Sequence, residues 1–186
     1  IPVVNGGDGA HEHPTQTLCD LFTLRREKKN LKHMNVAISG DLKGSRTIHS
    51  FVYALARFGA QITLMPAKGM ELPEHVYWRL RNELNHGPAR KVATAENELD
   101  ALYVTSDQPH QLNLIPSEII NIEMHSTGRR ERKRIDAVYV TRFQKERWID
   151  KEHDYPTVDA KFLKDKRFSH TSVMHPLPRV GELDVA

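Results

Sequence analysis

Asn35-Val36-Ala37-Ile38-Ser39-Gly40-Asp41, then Leu42-Lys43-Gly44-Ser45-Arg46, then Thr47 to Phe58, is the stretch whose reading decides the fold. Asn35 to Ser39 is an apolar run too short for a helix and reads as a buried strand ending in Gly40-Asp41. From Thr47 the apolar residues Ile48, Phe51, Val52 and Leu55 recur at helical spacing, and Gly59 supplies a helix stop. A strand, a polar loop and a helix in that order form half of a parallel-sheet repeat.

The alternation extends both ways. Downstream, Gln61-Ile62-Thr63-Leu64-Met65 reads as a second strand, Pro73 to His86 as a helix stopped by Gly87-Pro88, and Lys91-Val92-Ala93 as a short strand. Upstream, Pro14 suits a first helical turn, and Leu18, Leu21, Phe22 and Leu24 predict a helix from Pro14 to about Lys28. Two later stretches echo each other, Leu99 to Thr105 and Ile135 to Thr141, both reading as strands, and Thr171-Ser172-Val173-Met174 reads as a last one. Between the echoed strands, residues 106–134 form a polar segment with Pro109 and Pro116, expected to be an insertion. The expected fold is α/β: a doubly wound, mainly parallel sheet with helices on both faces. Such sheets bind ligands beyond the carboxyl ends of their strands, so the polar segments there are where chemistry is sought.

Composition narrows the function classes. With 186 residues, 39% hydrophobic and 27% charged, the chain can bury a substantial core. No apolar run approaches the roughly 20 residues of a membrane helix, and Ile1-Pro2-Val3-Val4 is too short for the apolar part of a signal peptide, so no membrane association and a cytoplasmic location are expected. The single cysteine, Cys19, excludes an internal disulfide framework; its place in a helical pattern predicts a buried structural thiol. A net charge of +3 arises from interleaved charges, except for Gly128-Arg129-Arg130-Glu131-Arg132-Lys133-Arg134. That run is either a solvated loop or a surface for phosphate or an acidic partner. No nucleic-acid-binding motif accompanies it, and no nucleic-acid partner is expected.

Four polar clusters fall at predicted strand ends or helix starts: His13-Pro14-Thr15-Gln16, Asp41-Leu42-Lys43-Gly44-Ser45-Arg46-Thr47, Thr141-Arg142-Phe143-Gln144-Lys145-Glu146-Arg147 and His175-Pro176-Leu177-Pro178-Arg179. Arginine grips carboxylates in a fork, so Arg46 and Arg142 suit a dicarboxylate, although each alone also fits a surface ion pair. His13 at a helix start can present a polarising imidazole beside backbone N–H groups, or can simply cap the helix. His11-Glu12-His13 has no second ligand pair at a familiar spacing, so no metal is expected.

In order and wording these four clusters, preceded by Asn5-Gly6-Gly7-Asp8-Gly9, resemble the transcarbamoylase family along nearly the whole chain. His-Pro-Thr-Gln is that family's carbamoyl phosphate motif. His175-Pro176-Leu177-Pro178, where the ornithine branch has His-Cys-Leu-Pro, and Thr141 to Arg147 resemble the aspartate branch. The resemblance implies the fold of that branch's aspartate-binding domain and transfer of a carbamoyl group to L-aspartate in pyrimidine synthesis, without metal or cofactor. His13 and Gln16 would hold carbamoyl phosphate, with His13 polarising its carbonyl oxygen; Leu177 and Pro178 would add backbone contacts to the same group. Arg46 and Arg142, supported by Gln144, would grip the two carboxylates of L-aspartate.

The resemblance also implies a homotrimer, with a regulatory subunit as a further possible partner. Family members carry a Ser-Thr-Arg-Thr phosphate loop in a preceding domain and a lysine from a neighbouring subunit, neither of which is in these 186 residues. Residues 1–186 are therefore expected to be an incomplete catalytic chain, inactive or nearly so alone. A catalytically silent homologue that binds or scaffolds is the reading from a different class. Within enzymes, the alternative is a transcarbamoylase for another amino acid.

Overall fold

A computed structural model of the chain describes residues 1–67, 69–83, 122–124, 130–132, 135–143, 157–164, 168 and 170–184. In chain order they form α1 (Pro14–Lys28), β1 (Asn35–Gly40), α2 (Arg46–Arg57), β2 (Gln61–Pro66), α3 (Glu74–Asn82), β3 (Ile122–Met124), β4 (Arg130–Arg132), β5 (Ala137–Val140), β6 (Val158–Asp159), α4 (Ala160–Leu163), β7 (Ser172–Met174) and β8 (Leu183–Asp184). The central sheet has the order β2-β1-β5-β7 and is parallel throughout, with Ile38 opposite Leu64 on one side and Tyr139 on the other. Strands β1, β2, β5 and β7 are where the apolar runs placed them, to within a residue or two. The predicted strands at Lys91–Ala93 and Leu99–Thr105, the helix beyond Glu83 and Gln144 lie outside the described residues. Of the expected insertion 106–134, the described part is the antiparallel pair β3 and β4, the latter inside the basic run.

Alternation along the strands assigns the two faces. Val36, Ile38, Ile62, Leu64 and Tyr139 pack with Leu24 of α1, Ile48, Phe51, Val52 and Leu55 of α2, and Val76 and Leu80 of α3. Ala37, Val138 and Val140 point the other way, toward Met65, Val158, Phe168 and Leu163 of α4. Both faces are covered, unequally: the three long helices among the described residues share one. The α2 face is fully buried at Ile48, Phe51, Val52 and Leu55, and each such side chain contributes roughly 1.5–3 kcal/mol by leaving water.

Helix α1 corrects one expectation. Its inward residues are Thr17, Asp20 and Leu24, with Leu21 packed at the core edge, whereas Cys19 is exposed and Leu18 and Phe22 are 65% and 62% exposed. At about 100° per residue, positions 17, 20, 21 and 24 share one stripe and position 19 falls on the opposite side. Two apolar residues on the outer side, Leu18 and Phe22, disguised that stripe in the sequence.

Candidate active site

Four loops meet at one end of the sheet. Beyond β1, the Asp41 carboxylate accepts the Gly44 N–H at 2.6 Å and closes a turn on itself. A Cβ on Gly44 would lie 2.6 Å from that same carboxylate, so any side chain there would have to push aside the group that closes the turn. The N–H groups of Leu42 and Lys43 both donate to the Met70 carbonyl at 3.1 Å, anchoring the loop to the segment after β2. Beyond β5, the Thr141 hydroxyl accepts the Asp41 N–H at 3.1 Å and ties the two strand ends together. The loop after β7 and the start of α1 complete the rim.

The rim encloses a cleft of about 230 Å³ lined by His13, Gln16, Ser45, Arg46, Thr47, Thr141, Arg142, Pro176, Leu177 and Pro178. Six of the seven residues singled out from sequence line it; the seventh, Gln144, lies outside the described residues. Ser45, Thr47 and Thr141 sat inside the quoted clusters but had no individual signal. Their place follows from flanking Arg46 and Arg142 at the strand ends.

His13 combines two roles that its sequence left as alternatives. It is the N-cap of α1, its Nδ1 accepting the Gln16 N–H at 3.4 Å with the Thr15 hydroxyl 3.3 Å away. A nitrogen that accepts carries no proton, so this hydrogen-bond pattern assigns the neutral ring's proton to Nε2. Partial burial, and then the positive charge of Arg46, hold its pKa below the usual histidine value. The ring is therefore a neutral imidazole with an N–H to offer, suited to polarising a carbonyl oxygen.

Three contacts hold the segment before α1 in place. The His13 N–H donates to the Ser50 hydroxyl at 2.8 Å, that hydroxyl donates to Glu12 at 3.1 Å, and Arg79 pairs with Glu12 at 3.1 Å. Arg46, the first residue of α2, donates from Nη1 to the Gly9 carbonyl at 3.2 Å. Its guanidinium lies against Gly7, whose φ is +130° and where a Cβ would come within 2.9 Å of Arg46 Cζ. The glycine-rich segment is thus the seat on which this arginine rests. Arg142 extends from the end of β5, its Nη1 3.5 Å from the Phe143 carbonyl.

After β7 the chain turns sharply. His175 Nδ1 accepts the Leu177 N–H at 2.8 Å, and its Nε2 lies 2.7 Å from the buried Glu182 carboxylate, which also accepts the Val180 N–H at 3.1 Å. Burial, then Glu182 acting in the opposite sense, leave the His175 pKa lowered. Leu177 sits at φ 60° and is 67% exposed, and the Leu177–Pro178 peptide is cis. Non-glycine residues hold left-handed backbone at a cost of order 1–3 kcal/mol when their surroundings impose it, and such positions cluster at functional sites. Glu182 had no sequence signal, because its contact with His175 exists only once the turn has formed.

Chemically, the cleft offers a neutral imidazole N–H, a glutamine amide, two guanidinium groups and several hydroxyls, a set for an anionic ligand bearing a polarisable carbonyl. The family model for the aspartate/ornithine carbamoyltransferase carbamoyl-P binding domain matches residues 1–26, which carry His13 and Gln16. Over 189 residues the chain is 36% identical to the aspartate carbamoyltransferase catalytic subunit of Methanosphaera stadtmanae, covering 99% of this chain and 50% of that one. The same subunit from Archaeoglobus fulgidus is 35% identical, covering 98% and 50%. Among solved structures, the catalytic subunit of M. jannaschii aspartate transcarbamoylase matches with a TM-score of 0.61 at 30% identity, covering 99% of this chain and 50% of that one. Aspartate transcarbamoylase from Trypanosoma cruzi, in complex with carbamoyl aspartate and phosphate, matches with a TM-score of 0.62 at 30% identity, covering 98% and 48%. The chain spans about half the length of the curated relatives it matches. By sequence and by fold, this chain is similar to about half of an aspartate carbamoyltransferase catalytic subunit, and its residues 1–26 match the aspartate/ornithine carbamoyltransferase carbamoyl-P binding model.

Proposed function

We propose that the chain is the aspartate-binding part of an aspartate carbamoyltransferase, which joins carbamoyl phosphate and L-aspartate to give N-carbamoyl-L-aspartate and phosphate. The observation that carries this reading is the convergence of His13, Gln16, Arg46, Arg142, Leu177 and Pro178, from four separate segments, on one cleft. His13 Nε2–H donates to the carbamoyl oxygen and Gln16 contacts the carbamoyl group. Arg46 and Arg142 take the two carboxylates of L-aspartate and aim its amine at the carbonyl carbon, with Gln144 in support. The amine forms the new C–N bond, a tetrahedral centre carries negative charge on the oxygen facing His13, and the C–O bond to phosphate breaks as the amine's proton passes to the departing phosphate. Orientation of this kind supplies up to roughly 7–11 kcal/mol of barrier reduction.

On the family resemblance alone, the full chain works in the cytoplasm, in pyrimidine synthesis, as a homotrimer with a regulatory subunit as a possible further partner. The test is carbamoyl transfer by the full-length chain with L-aspartate and with L-ornithine, beside residues 1–186 assayed alone. Turnover of aspartate by the full chain is the expected result. Silence with both amino acids would overturn the reading in favour of a binding or scaffolding homologue.

A further inference from the structure

Asp20 is a buried carboxylate that the proposed reaction does not itself use. It lies one helical turn after Gln16, on the inward stripe of α1, and is 5% exposed. Burying a carboxylate is costly unless its oxygens are bonded. Here each oxygen has a donor: the Tyr139 hydroxyl reaches Oδ2 at 2.8 Å and the Gln16 side-chain Nε2 reaches Oδ1 at 3.0 Å. Tyr139 is itself fixed, fully buried on β5 with its ring 4.6 Å from that of Phe51. The network therefore runs from a rigid core tyrosine, through Asp20, to a cleft-lining amide.

A glutamine amide is nearly symmetric in shape and opposite in chemistry at its two ends. Turning the Gln16 amide over would set Oε1 against the Asp20 carboxylate, oxygen against oxygen. Burial pushes the Asp20 carboxyl up, whereas the Tyr139 and Gln16 donors act against that and favour the ionised acceptor.

We propose that Asp20 is a positioning residue that locks the Gln16 amide with its carbonyl oxygen available to the cleft, so that the site selects a carbamoyl group, which carries N–H, over an acyl group with methyl in its place. The inference rests on the proposed carbamoyl transfer and adds to it how the NH2 end of the donor substrate is told from CH3. Gln16 makes the contact; Asp20 decides which end of the amide makes it.

The experiment uses the full-length chain, its Asp20→Asn variant and its Tyr139→Phe variant, measuring KM for carbamoyl phosphate and the inhibition constant of acetyl phosphate. An asparagine at position 20 offers both a donor and an acceptor and leaves the Gln16 amide free to turn over. Asp20→Asn is expected to raise KM for carbamoyl phosphate roughly tenfold, the worth of one hydrogen bond, and to leave acetyl phosphate inhibition unchanged. Tyr139→Phe is expected to shift the ratio of the two in the same direction by less, and it carries the test if Asp20→Asn does not fold. Equal weakening of both ligands, the result of a merely loosened helix, overturns the inference, as does an unchanged ratio. A parent chain that binds neither ligand overturns the proposed function and this inference with it.

Discussion

At the residue scale, Arg142 and His13 make separable predictions. Arg142 stands two residues beyond the end of β5 and lines the cleft. Losing one charge-assisted contact there costs about 1.5–3 kcal/mol, so Arg142→Ala in the full-length chain should lower kcat/KM for aspartate roughly 10- to 150-fold while carbamoyl phosphate still binds. Steady-state kinetics with each substrate varied in turn check this; unaltered aspartate kinetics would remove Arg142 from the site. His13→Ala removes, on the proposed reaction, a donor to the developing oxyanion, together with an N-cap. The first loss is expected to lower kcat about 100- to 1,000-fold. The second should cost about 1 kcal/mol in urea unfolding, and measuring both separates them. Arg46 and Arg142 were legible as cleft residues only through the joint resemblance of the four clusters, since each alone also fits a surface ion pair; Asp20 and Glu182 were not, because a buried carboxylate reads in sequence like any surface one.

At the scale of elements, the short apolar runs and glycine stops placed β1, α2 and β2 closely, because a buried parallel strand has no polar face to confuse it. Helix α1 was legible in extent and misread in facing, since Leu18 and Phe22 imitate a core stripe on the outside. Helix α2 carries a device invisible to sequence: buried His49, whose Nδ1 and Nε2 each lie 3.0 Å from a carbonyl oxygen, of His11 and Leu42. It bridges the segment before α1 to the loop after β1. Burial holds its pKa below the usual value, with His75, its ring 6.3 Å away, adding to the depression against three backbone hydrogen bonds that raise it. A depressed folded-state pKa means that the unfolded chain binds the proton more readily. Its stabilising contribution is complete above the unfolded value of about 6.5 and is lost as pH falls below it. His13 and His175 are shifted the same way. The unfolding midpoint of the full chain should therefore fall on acidification below about pH 6.5, and His49→Gln should make that slope shallower. An equal slope in both proteins would show that His49 does not contribute.

At the scale of the whole molecule, one sheet supports both core and cleft: the side chains along β1 and β5 fill the two apolar clusters, and the loops leaving those strands carry the site. Two phenylalanines calibrate that division. Phe51 is fully buried against Tyr139, whereas Phe22 is 62% exposed. Phe51→Ala should cost about 3–5 kcal/mol and disturb the cleft through Tyr139, whereas Phe22→Ala in the isolated segment should stay within about 0.5 kcal/mol. Chemical denaturation of both variants checks the contrast.

The resting place of Arg46 on the Gly9 carbonyl has a consequence for how an acidic substrate is received. A carboxylate arriving in the cleft meets an arginine with one N–H already engaged; where it takes that donor it exchanges one oxygen for another, and that contact gains only the difference between them. The same exchange would unfasten the Asn5–Gly9 strip whenever the guanidinium turned inward. Occupancy of the cleft would then be legible outside it, as faster hydrogen exchange along that strip.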